Sequence, residues 1–339
     1  MPMLGIMASG ISGHLISPRT LAVASASSPY IQAYPWSAGF GTKYADPGTL
    51  PGSNALDVNF GATGSAITVA SSSSPYIQAY PWSAGFGTKY SDPASFGAFS
   101  GSGAIFNPAV TVIAASFDTA PKTAAWPFSA GFGTKYANPA TVPAGSIGNK
   151  ISFNPAGTAI AVTSDSTPFI QGYPWSAGWG TKYANPATLP SSNTLGVAFN
   201  PAGTAIAVTE TASPYVEAYP FSAGFGTKYA NPATLPGGAG NGVAFNPAGT
   251  AIAVSHTGTP YISTYPWSAA FGTKYANPAT LPAGTTSWMV GFDIAGTTIA
   301  IASNSSPYIQ AYPWSAGFGT KYSDPATLPA GIAYGLNFN

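Results

Sequence analysis

Seven near-identical copies of one unit, four strand-like stretches in each copy and a fragment of an eighth copy at residues 335–339 predict an all-β fold. The expected architecture is a seven-bladed β-propeller, four antiparallel strands per blade, with the ring closed by the C-terminal strand joining the first blade. The tetrapeptide Gly-Thr-Lys-Tyr sets the period: its lysines are Lys43, Lys89, Lys135, Lys182, Lys228, Lys274 and Lys321, spaced 46 or 47 residues apart. No helical periodicity competes, and an open solenoid has shorter units and atypical caps.

Residues 195–236 display one unit in full. Val197-Ala198-Phe199 is a first strand, closed by Asn200-Pro201-Ala202-Gly203, where proline presets φ and glycine permits a positive one. Ala205 to Thr209 alternates small and branched side chains with period two, as a second strand does. Tyr215 to Tyr219 is a third, bounded by Pro214 and Pro220. A fourth begins near Thr227-Lys228-Tyr229 and carries Asn231-Pro232; proline donates nothing to a ladder, so this strand belongs at a sheet edge. Both faces of a blade meet neighbours, so the bulky face of one second strand can nest against the small face of the next. Tyr-Pro-Trp-Ser runs (34–37, 80–83, 173–176, 265–268, 312–315) place large aromatics at the same point of five blades.

Gly335-Leu336-Asn337-Phe338-Asn339 repeats the first-strand pattern of Gly242 to Asn246, which is how a terminal strand completes the first blade. The expected division is therefore an N-terminal segment, residues 1–17, as an apolar docking arm, followed by the propeller over 18–339.

Composition narrows the function. Charged residues are 6% of the chain, against about 25% in ordinary proteins, and the net charge is +1. That balance excludes a basic nucleic-acid groove and a charge-driven disordered chain. Cysteine is absent, so no thiolate metal site is possible. No run approaches the ~18 apolar residues of a membrane helix, so no membrane insertion is expected. Met1 to Gly13 lacks the charged start of a secretory signal, which favours assembly in the cytoplasm.

Catalytic constellations are sparse. Histidines are two, His14 and His256. Asp46, Asp92 and Asp324 occupy a position where Asn138, Asn185, Asn231 and Asn277 serve equally, which points to turn hydrogen bonds rather than acid–base work. Asp57, Asn59, Asn337 and Asp293 lie near inner strands, where oxygen ligands around the axis would suit calcium, but no loop is dense in carboxylates. The repeated Gly-x-Gly lacks the third glycine and helix of a dinucleotide site. The reading is no enzyme and no cofactor. Tyr30, Trp36 and Phe40, with their counterparts, form either inter-blade core or sugar-stacking platforms.

Internal comparison separates two loop sets. Turns after first and third strands are nearly constant; those after second strands and between blades differ from copy to copy. Variable loops on a rigid scaffold are the usual place of specificity. The candidate partner-binding residues are Asp118, Lys122, Lys150, Asp165, Glu210, His256 and Trp288.

The unit VAFNPAGTAIAVT…SPYIQAYPWS…GFGTKYANPATLP resembles WD-repeat-like propeller repeats, although the Trp-Asp dipeptide is missing. GFGTKY(A/S)(D/N)PATLP is similar to repeat proteins of tailed bacteriophages. That resemblance implies a non-enzymatic structural or interaction protein of the phage particle, in tail, fibre or capsid decoration, located in the virion after assembly in the host cytoplasm. Its implied partners are other virion proteins and a host-surface glycan or receptor. A multivalent carbohydrate-binding adhesin is the alternative, and a lactonase-type propeller enzyme the third.

Overall fold

The computed structural model describes residues 19–94 and 100–339; the expected docking arm, residues 1–17, lies outside them. The described residues form seven antiparallel sheets and no helix. Inner strands are β3 (Ala55–Phe60), β6 (Gly101–Phe106), β9 (Gly148–Phe153), β12 (Thr194–Phe199), β15 (Gly240–Phe245), β18 (Ser287–Phe292) and β21 (Ala333–Phe338). Middle strands are β1 (Thr20–Ser25), β4 (Ala66–Ser71), β7 (Val112–Phe117), β10 (Ala159–Ser164), β13 (Ala205–Glu210), β16 (Ala251–His256) and β19 (Thr298–Ser303). Outer strands are β2 (Ile31–Pro35), β5 (Ile77–Pro81), β8 (Thr123–Pro127), β11 (Ile170–Pro174), β14 (Val216–Pro220), β17 (Ile262–Pro266) and β20 (Ile309–Pro313).

Each blade thus has three strands, not the expected four. The Gly-Thr-Lys-Tyr segment runs along the outer strand but pairs too little to be one. In the first blade it is held by a bridge between Trp36 and Phe40 and by single bonds from Gly41 N to Pro35 O and from Tyr44 N to Ala33 O. Asp46-Pro47 follows at once, and proline ends what ladder there is. The segment serves the neighbouring blade instead. Tyr44 meets the edge of Trp82 at 5.2 Å, and the same contact recurs round the ring to Tyr322 on Trp36 at 5.3 Å. Such pairs contribute about 0.5–1.5 kcal/mol each beyond area burial.

The nesting of bulky on small faces is observed. Phe199, Ile206 and Tyr219 stand opposite one another across one blade. With Val208 they pack on Ala159, Ala161 and Ile170 of the preceding blade. Every middle strand is buried along its whole length. Closure is as expected: β21 pairs with β1, setting Phe338 opposite Leu21.

Candidate functional site

The inner strands share an irregularity that the repeat conceals. Each slips register against its middle strand near its start: Ala55 pairs with Ser71 and Asp57 with Ala70, leaving Leu56 as the extra residue of a β-bulge. The same slip leaves over Ser102, Leu195, Asn241, Trp288 and Tyr334, and falls at Asn149–Lys150 in β9. A bulge breaks the two-residue alternation and re-aims a side chain. Leu56, Ser102, Asn149, Leu195, Asn241, Trp288 and Tyr334 then line one cavity of about 220 Å³ at the mouth of the axial channel, with Lys150. Position by position they are equivalent in the repeat, yet they comprise five residue types.

The mouth mixes apolar and polar walls. Trp288, Tyr334 and Leu56 stand on consecutive blades, the two rings edge to face at 5.5 Å. Ser102 and Asn149 follow on the next two. Asn149 Nδ2 donates to Asn193 Oδ1 (2.8 Å) and Thr194 O (2.7 Å), and Asn241 Nδ2 to Ser287 O (2.9 Å), so both amides are fixed by the next blade. The buried Trp288 indole N–H has no acceptor among the described residues.

One step deeper, Lys150 reaches over the intervening blade to Asp57, Nζ to Oδ1 3.1 Å. Its ammonium also donates to Leu56 O (3.1 Å) and Ser102 O (3.0 Å). The other carboxylate oxygen, Oδ2, accepts Asn59 Nδ2 (3.1 Å) and Ala104 N (3.2 Å). Gly103 lies directly beside the crossing: a Cβ there would touch both Asp57 Oδ2 and Lys150 Cδ, each at 3.4 Å. Beneath the mouth, Asp57, Asn59, Lys150, Ser152 and Met289 border a further space of about 70 Å³.

The opposite mouth holds a larger cavity of about 510 Å³, lined chiefly by repeated phenylalanines and asparagines, among them Phe60, Phe106, Phe153, Asn107 and Asn154, with Asn59, Ile105 and Ile294 as blade-specific additions. Those asparagines are spent on their own turns: Asn107 Oδ1 accepts Thr111 N (2.8 Å) and Val112 N (2.9 Å). It is scaffold.

Of the seven residues singled out in the sequence, the structure brings Lys150 and Trp288 to the mouth. Of the other five, four hold loops in place and His256 bonds the adjacent outer strand. Asp118 Oδ1 accepts Ser100 N (2.8 Å), and Asp165 Oδ1 accepts Ser146 N (2.8 Å) and Ile147 N (3.2 Å), tying second-strand loops to inter-blade loops. Lys122 is buried and donates to Ser146 O. Glu210 and His256 are not loop residues: each ends a middle strand and is fully buried. Glu210 Oε2 accepts Ser191 N and Oγ, both 2.8 Å, and Ser192 N at 3.1 Å. Burial, reinforced by the Glu217 carboxylate, holds its acid above the usual carboxylate range. His256 Nε2 lies 3.0 Å from Ser263 Oγ, and burial lowers its pKa to about 4.

The variable loops are also less variable in form than in letters. After every middle strand the chain makes the same turn, with a cis X–Pro bond followed by a residue at positive φ, such as Tyr30 at 67°. The channel expectation holds in part. Asp57 and Asn59 border it, whereas Asp293 caps its own turn through Thr297 N (2.7 Å) and Thr298 N (2.8 Å). No cluster of three or more metal-binding side chains exists among the described residues. Trp36 is buried against Phe40, Tyr322 and Phe338, which makes it inter-blade core.

Fold and site together define a seven-bladed β-propeller with a blade-specific axial mouth. No protein-family model and no curated protein sequence matches the chain. Solved structures do. A "putative 6-phosphogluconolactonase" from Bacteroides fragilis superposes with a TM-score of 0.74 at 12% identity, covering 96% of this chain and 98% of its own. The periplasmic gluconolactonase of Pseudomonas aeruginosa gives 0.72 at 13%, covering 94% and 98%. A functionally unknown protein from Desulfotomaculum acetoxidans gives 0.70 at 11%, covering 94% and 98%. At such identities the likeness establishes the fold alone. It corrects the functional expectation nonetheless. The expectation of a non-enzymatic phage-particle protein is overturned by the names these propellers carry, since those of Bacteroides fragilis and Pseudomonas aeruginosa are named as lactonases and a further similar structure is a hydrazine synthase. None of the three superposed propellers is named as a phage or WD-repeat protein.

Proposed function

We propose that this propeller is a lactonase-type enzyme that hydrolyses a small cyclic ester at the axial mouth. The observation that carries the reading is the set of seven bulges, which aim non-repeating side chains into one cavity directly above the Asp57–Lys150 pair. A scaffold position has no reason to differ in this way between copies. The names of the similar propellers supply the reaction class.

Asp57 is the general base. Its carboxylate is held by Lys150, Asn59 and Ala104 N at the border of the deeper space, which is large enough for a water. With a lactone in the mouth, that water's oxygen attacks the ester carbon while Asp57 takes a proton. The tetrahedral intermediate then expels the ring oxygen, which is protonated to a hydroxyl. The product is the open hydroxy acid, and one water is consumed.

The test is acid release from δ-gluconolactone, followed with a pH indicator against the spontaneous rate. Asp57→Asn is expected to lower kcat by roughly 10²- to 10⁴-fold, the usual worth of a general base. Circular dichroism checks that the variant keeps the β fold. Catalysis by the wild type no faster than buffer, or an undiminished Asp57→Asn, overturns the reading.

A further inference from the structure

We infer that the lactone taken by this mouth is uncharged, carrying no phosphate, and that it lays an apolar ring face on the Trp288–Tyr334 corner while its hydroxyls turn toward Ser102 and Asn149. This rests on the lactonase reading and narrows its substrate class.

The argument is first one of spent donors. All ten Lys and Arg side chains lie in the described residues, and Lys150 alone among them borders the mouth. An ammonium has three protons. Those of Lys150 are matched by Asp57 Oδ1, Leu56 O and Ser102 O, so none remains for a phosphate oxygen. Lys122, the other lysine of this loop face, is directed to Ser146 O and Asp118 O.

The remaining cations are far from the mouth or already matched. Lys43, Lys89 and Lys321 pair with Asp46, Asp92 and Asp324 in the outer segments. Lys135, Lys182 and Lys274 donate to Asn138, Asn185 and Asn277, and Lys228 to Glu217 and Asn231. Arg19 sits with Asp293 in the constant turns of the other face.

Charge on the loop face then opposes a dianion. Lys122 and Lys150 face four carboxyls there, Asp57, Asp118, Asp165 and Glu210. Glu210 aside, carboxylates still exceed ammoniums by three to two. With no helix in the described residues, no helix N-terminus offers its N–H groups to a phosphate either. Such a field repels a phosphorylated substrate before any contact.

Shape chooses among neutral lactones. Round the ring the half-buried Trp288, Tyr334 and Leu56 present one apolar arc, Ser102 and Asn149 continue it as polar neighbours, and Leu195 and Asn241 close the circuit. A ring with a C–H-rich face and hydroxyls at its edge matches the apolar arc and its polar neighbours.

The experiment compares δ-gluconolactone with its 6-phosphate, by acid release and by quenching of intrinsic tryptophan fluorescence. The expected result is a kcat/KM at least tenfold higher for the unphosphorylated lactone. The gap narrows as salt screens the face, and Trp288→Ala raises KM several-fold with kcat changed less. Equal or better turnover of the phosphate ester overturns the inference and leaves the lactonase reading standing. Failure to turn over or bind either lactone overturns the reading, and the inference with it.

Discussion

Asn339 Oδ1 accepts the backbone N–H of Thr20 at 2.7 Å, joining the two ends of the ring. Elsewhere the equivalent asparagine caps a turn within its own chain segment, as Asn200 does through Thr204 N (2.8 Å) and Ala205 N (2.9 Å). At the closing blade there is no such turn, so the same chemistry works across 319 residues of sequence. Asn339→Ala is expected to lower unfolding free energy by about 1 kcal/mol, the usual net worth of one such bond. Urea unfolding should show the midpoint falling with an unchanged slope; an unaltered midpoint would mean that strand pairing alone closes the ring.

Gly103 lies under the path of Lys150 to Asp57. A Cβ there would already stand 2.9 Å from Ser116 Oγ, and the γ carbons of a valine would push into the ion pair itself. Separating a largely buried pair leaves its charges uncompensated, so Gly103→Val should cost about 3 kcal/mol. Gly103→Ala should cost distinctly less. The comparison is made by urea unfolding of the two variants, and equal losses would show that the pair does not depend on this crossing.

His256 gives the fold a dependence on acid. Its pKa is lowered from 6.5 to about 4 by burial, so the unfolded chain binds its proton first. The stability this residue confers is complete above pH 6.5 and is lost progressively as pH falls toward 4. The loss is about 3 kcal/mol. Glu210, raised by burial, acts in the opposite sense, its contribution being present at low pH and lost as pH rises. Four other blades carry Ser and Gln at the positions of His256 and Ser263, as Ser25 and Gln32 do. The double variant His256→Ser, Ser263→Gln should therefore fold and flatten the acid limb. An unchanged pH profile of the unfolding midpoint would assign the acid sensitivity elsewhere.

The architecture was legible in the sequence because a propeller is a sum of near-identical units. Asn-Pro-Ala-Gly, the alternating middle strand and the terminal Leu336-Asn337-Phe338 each carry their own local chemistry. Gly-Thr-Lys-Tyr has strand letters but forms no fourth strand, because it spends its tyrosine on the next blade. Among site residues, Lys150 and Trp288 stood out as letters foreign to the repeat. Leu56, Leu195 and Tyr334 did not, although aligning the seven copies reveals their column as one of the most varied. Glu210 and His256 misled for the converse reason: a charge that breaks the pattern can be buried among strand ends as easily as offered to a partner.

Period, blade number and the closing strand follow from residue order alone, since each depends on contacts within about 46 residues or on self-similarity. The direction in which a side chain points from the inner strand does not. It depends on one extra residue per strand, a register slip defined only by the partner strand and invisible to a period-two reading. Only with the ring closed do those seven slips become one mouth, and only there do Lys150 and Asp57, 93 positions apart (150 − 57), become a pair.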